Sequence, residues 1–129
     1  MNIQEWRRET AGQCYLMAFM TLEALESQPR TRQVKRFYLC HGIFTQVKPP
    51  HLQCGHGWVE MEFRDGRVLV LDHNAPGRPI SQDFYYREGK IDKNIVKRYR
   101  LSQAKIMSER YDSYGPWDEV ISAAAHAED

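Results

Sequence analysis

The tripeptide Arg64-Asp65-Gly66, set between two runs of strand-forming residues at 56–63 and 67–74, constrains the fold more than any other feature of this chain. A polar turn containing glycine between two such runs predicts an antiparallel hairpin. A covering element lies upstream, at 12–25. There Cys14, Met17, Ala18, Leu22 and Leu25 share one helical face, and Tyr15, Phe19 and Met20 widen it. Gly12 marks the predicted start of this helix and Ser27-Gln28-Pro29 its end, which puts Cys14 in the first turn.

The remaining elements follow from local pattern. Residues 37–47 read as one bent strand with a bulge at Gly42, stopped just short of Pro49-Pro50. Residues 84–86 and 95–100 read as further strands, with Gly89 between them. Ser102 is positioned to cap a helix over 103–111 whose Ile106 and Met107 face inward, ended by Gly115-Pro116, and the tail 123–129 reads as a frayed helix. Strands at hairpin rather than crossover spacing, bracketed by helices, predict an α+β fold with the long helix packed on an antiparallel sheet. With 129 residues, 42% hydrophobic and 27% charged, the chain reads as one domain over 1–129 with a single core.

Eighteen Lys and Arg stand against 17 Asp and Glu, so no global field favours nucleic acid or an anionic membrane. The cluster Arg30, Arg32, Lys35 and Arg36, and the later Lys97, Arg98 and Arg100, read as solvated surface. The apolar run 14–20 behind Arg7-Arg8 is too short for a membrane span, is soon followed by Glu23 and Glu26, and lacks a cleavage site, so a cytoplasmic location is expected. The three cysteines then read as thiols.

A cysteine at a helix N-terminus, an imidazole to take its proton and a carboxylate to orient that imidazole make a nucleophilic constellation. Cys14, His56 and Asp72 are the candidates, since His56 begins one hairpin strand and Asp72 ends the next. Register decides whether they can meet. A two-residue loop, Asp65-Gly66, would turn Asp72 to the side of Val59 and Met61, opposite His56. A three-residue loop, with Gly66 left-handed, would place His56, Trp58, Val70 and Asp72 on one face.

Gly12-Gln13-Cys14-Tyr15-Leu16-Met17-Ala18 resembles the nucleophile motif Gly-Gln-Cys-Trp-x-x-Ala of the transglutaminase-like superfamily, related in fold to papain-like enzymes. His56-Gly57-Trp58-Val59-Glu60 resembles that family's His-x-Trp-x-Glu strand, and Leu71-Asp72 falls where it has its catalytic aspartate. The strand over 37–47 also matches one that the family places between its cysteine helix and histidine strand. The resemblance covers about residues 12–74, with Tyr15 in place of tryptophan and without the family's proline-containing strand before the histidine. It implies a papain/transglutaminase-like core and a Cys14, His56, Asp72 triad that hydrolyses or transfers amide or related acyl bonds through a thioester. The substrate would be a peptide, a protein side-chain amide or a small amide, with no cofactor. Arg8 and Glu9 stand where papain-type enzymes carry an oxyanion glutamine, which leaves the backbone N–H of Cys14 as the donor.

Three other readings compete. Cys40-His41 and Cys54-x-His56 could supply soft ligands to zinc, but neighbours on a strand point to opposite faces and no Cys-x-x-Cys spacing is present. Cys40 is therefore expected to be a core thiol and Cys54 a loop thiol. Trp58, Tyr99, Tyr114 and Trp117 read as packing residues. A catalytically silent protein-binding module with the same fold is the alternative function. Nucleic-acid binding through the 30–36 cluster is the third.

Overall fold

A computed structural model describes residues 3–75 and 77–126. In chain order it comprises α1 (Ile3–Glu26), β1 (Val34–Thr45), β2 (Gln53–Phe63), β3 (Val68–Leu71), β4 (Ile80–Ser81), α2 (Gln82–Glu88), β5 (Lys97–Tyr99), α3 (Leu101–Tyr111) and α4 (Glu119–His126). The strands form one antiparallel five-stranded sheet in the order β4-β3-β2-β1-β5. The α+β expectation, with a long helix on an antiparallel sheet, holds at this level. No helix among the described residues is long and apolar enough to cross a membrane.

Alternation along β1 and β2 divides the core between the two sheet faces. Phe37, Leu39 and Val59 pack with Ala18, Phe19 and Leu22 of α1, Ala104 of α3 and Trp117. Cys40, Trp58 and Val70 point the other way, onto Tyr85 and Tyr86 of α2. Cys40 is the core thiol the sequence suggests, and Cys40 and His41 do face apart. Cys54 is instead a half-buried residue of β2, not a loop thiol.

The hairpin takes the three-residue loop. Val59 pairs with Leu71 and Glu62 with Val68, the Phe63 N–H donates to the Arg67 carbonyl, and Gly66 adopts φ +96°. In that register His56, Trp58, Glu60, Val70 and Asp72 line the α2 face of the sheet.

Several local expectations are corrected. Helix α1 is already helical from Ile3, because a glycine inside a helix costs only about 1 kcal/mol and does not compel a start at Gly12. Its buried face is Cys14, Tyr15, Ala18, Phe19 and Leu22, whereas Met17 and Met20 are exposed. Residues 84–86 belong to helix α2, whose Ser81 side chain accepts from the Phe84 N–H. The irregularity in β1 falls between Val34 and Arg36. Gly42 is no bulge; it makes room for the indole of Trp58, whose Cη2 would lie 2.7 Å from an added Cβ. Helix α3 begins at Leu101, one residue ahead of Ser102, with the Arg100 N–H donating to Gln103 Oε1. It ends at a left-handed Asp112, ahead of Gly115-Pro116, and Ile106 faces solvent. Strand β5 is confined to Lys97–Tyr99, and α4 starts four residues before the expected 123–129 tail, of which 127–129 lie outside the described residues.

His41 is fully buried in this fold among Tyr15, Tyr99 and Trp117, and neither ring nitrogen has a hydrogen-bond partner among the described residues. Burial, with a smaller push from the charge of His56, lowers its pKa to about 3. The tyrosines facing it are both raised and therefore neutral. Below pH 6.5 the unfolded chain takes up a proton that folded His41 refuses, so this group costs stability as pH falls from 6.5 towards 3. His56 is protonated in both states over most of that range, Asp72 titrates below 3.8, and His73 adds a shift of the same sign as His41. His41→Phe is therefore expected to retain about 3 kcal/mol of the stability that the natural chain loses between pH 7 and pH 4, as read by urea unfolding at both pH values. An identical pH dependence in both proteins would contradict this.

Candidate active site

Two glycines bring the site together. Gly55 and Gly57 flank His56 in β2, and α1 lies on the backbone there: a Cβ on Gly55 would come within 2.5 Å of the Tyr15 hydroxyl, and one on Gly57 within 3.0 Å of the Tyr15 ring and 3.5 Å of the Cys14 carbonyl oxygen. Tyr15 fills the space that side chains would otherwise occupy. Its neighbour Cys14 is thereby carried to the His56 imidazole, with which its thiol is hydrogen-bonded.

On the far side of the ring, His56 Nε2 donates to Asp72 Oδ2 at 2.8 Å, and both side chains are buried. With Nε2 occupied by the carboxylate, Nδ1 is the nitrogen left for sulfur. Asp72 is itself held from two directions, by the Asn74 N–H on Oδ1 at 2.9 Å and by the Tyr85 hydroxyl on Oδ2 at 2.5 Å. The Asp72–Asn74 bond closes an Asx turn.

These contacts set the charges. Burial alone would depress His56, but hydrogen bonds and charge from Asp72 and Cys14 outweigh it, and the imidazole is raised well above its usual 6.5. Burial pushes Asp72 up, while the bonds to His56, Tyr85 and Asn74 bring it down to about 2. The pair is an imidazolium next to a carboxylate at neutral pH.

One feature assigned to Cys14 fails. The cysteine lies well inside α1, not in its first turn. At an interior position the helical ladder takes the N–H, and the dipole acts within the end turns only. Cys14 therefore draws on His56 rather than on a helix terminus, and its N–H is not the oxyanion donor.

Sequence reasoning missed Tyr85, His73 and the two glycines. The aromatic run suggested a strand, although Ser81 ahead of Asp83, with Gly89 behind Glu88, is an ordinary helix-bounding pattern. His73 Nδ1 lies 3.5 Å from Asp72 Oδ1 and has no hydrogen-bond partner among the described residues. His56, Asp72 and His73 together bring three donor atoms within 4.8 Å of one another, and His56 and Asp72 are hydrogen-bonded to each other. Among the described residues no such cluster contains Cys40, His41 or Cys54.

Behind the site lies a second buried carboxylate. Glu60 accepts from Trp58 Nε1 at 2.9 Å, Gln82 Nε2 at 2.9 Å, Arg98 Nε at 3.1 Å and the Tyr86 hydroxyl. The adjacent tyrosines of α2 thus serve the two carboxylates of one sheet face, Tyr85 on Asp72 and Tyr86 on Glu60. Comparison with family models, with curated proteins and with solved structures finds no match to this chain.

Proposed function

We propose that this chain is a transglutaminase-like or papain-like cysteine enzyme that cleaves or transfers amide or related acyl bonds through a thioester on Cys14. The supporting observation is the His56 imidazole, which lies between the Cys14 thiol and the Asp72 carboxylate. In this reading the thiol proton already resides on His56, and the thiolate of that ion pair attacks the acyl carbon. The imidazolium then gives the proton to the departing amine, leaving a thioester. Water, activated by the same imidazole, releases the acid. An amine in place of water would give transfer. Asp72 keeps the ring oriented and stabilises its protonated form.

The interior position of Cys14 in α1 favours one second reading, a catalytically silent protein-binding module that keeps the constellation without an oxyanion site on the helix. Brief treatment with iodoacetamide at pH 7, followed by mass-spectrometric mapping, tests whether Cys14 has the reactivity that the enzyme reading requires. Cys14 is expected to be alkylated before Cys40, which is fully buried with its thiol pushed up by burial and by Glu60, and before Cys54. Slowest modification at Cys14 would overturn the enzyme reading.

A further inference from the structure

The oxygen of Asp72 that receives the His56 N–H also receives the Tyr85 hydroxyl, whereas its other oxygen is fixed by the Asn74 backbone. Tyr85 lies on α2, is buried, and packs its ring on Trp58 and Phe44, so the hydroxyl is aimed and not merely near. We propose that Tyr85 is a positioning residue that tunes the His56–Asp72 pair by sharing the charge on Asp72 Oδ2 with the imidazole.

The inference rests on the cysteine-enzyme reading for its purpose, but not for its test. A carboxylate oxygen that already holds one hydrogen-bond donor is a weaker acceptor for the second and stabilises an imidazolium less. Removing the hydroxyl leaves Asp72 in place, because the Asn74 N–H and His56 still hold it, but makes it a stronger partner for His56. Burial and the neighbouring carboxylate both push the Tyr85 hydroxyl well above its usual range, so it donates and does not ionise. In catalysis the consequence is an imidazolium acidic enough to release its proton to a leaving amine. The groups facing this pair are Cys14 from α1, Tyr85 from α2 and His73 beyond β3, and His41 on the neighbouring strand acts on His56 by charge from the other side of the sheet.

Titration of the His56 ring by 15N NMR in a Cys14→Ala background tests the proposal without reference to any nucleophile. Tyr85→Phe, which keeps the ring packing, is expected to raise the His56 titration midpoint by about one pH unit. Replacing Tyr85 by 3-fluorotyrosine, a stronger donor, is expected to lower it, and this variant decides the matter alone if Tyr85→Phe does not fold. A purely structural tyrosine would change the melting temperature and leave His56 where it was. An unmoved midpoint, or shifts of the opposite sign, would overturn the proposal and leave the Cys14 reading untouched.

Discussion

Replacing His56 with alanine is expected to slow alkylation of Cys14 at pH 6 by about 100-fold. An ordinary thiol is only about 0.3% ionised at that pH, and a positioned imidazole typically contributes about 10²–10⁴-fold to such a reaction. His56 is the hydrogen-bonding cation the structure offers to Cys14, and it remains protonated well above neutrality. The rate should therefore collapse towards that of an isolated cysteine when the ring is removed. Asp72→Ala should give an intermediate loss, since the imidazole remains but its orienting bond is gone. Equal rates at pH 6 in the natural chain and in a folded His56→Ala variant would contradict the pairing. Because Cys14 is itself 5% exposed, a small alkylating agent is required.

The second large effect is on stability. Glu60→Ala is expected to destabilise the fold by about 3–5 kcal/mol, the range for breaking a buried ion pair by removing one partner. Glu60 is 1% exposed and receives donors from β2, α2 and β5, so its loss leaves the Trp58 N–H without its acceptor and the Arg98 guanidinium without its carboxylate, with the Tyr86 hydroxyl as the remaining partner of Arg98. Arg98 is partly exposed and can recover water, which places the expected loss towards the lower end of that range. Chemical denaturation measures it directly. A change below about 1 kcal/mol would mean that the network contributes little to holding α2 against the sheet.

The hairpin was legible because turn chemistry and alternation are local, and both register options could be written down from Arg64-Asp65-Gly66. Choosing between them was not local: the φ of Gly66 and the facing of Asp72 depend on what covers the sheet. The bounds of α1 show the opposite weakness. Gly12 looked like a start because glycine is a poor helix former, but its cost is too small to end a helix that its neighbours extend. The aromatic pair Tyr85-Tyr86 reads as strand by propensity and forms a helix, because burial of both rings and two carboxylate partners outweighs that preference. The glycines on either side of His56 carried a legible signal, since two small residues flanking a polar one in a strand mark a close approach of another backbone.

The most direct test of the central claim is an intact-mass measurement after incubation with a p-nitrophenyl acyl ester. The natural chain should gain one acyl group with release of p-nitrophenolate, and hydroxylamine should remove it as expected for a thioester. Cys14→Ala, shown by circular dichroism to be folded, should gain none. An equal mass gain in Cys14→Ala, or neither mass gain nor p-nitrophenolate release above the Cys14→Ala background in the natural chain, would contradict a nucleophilic Cys14.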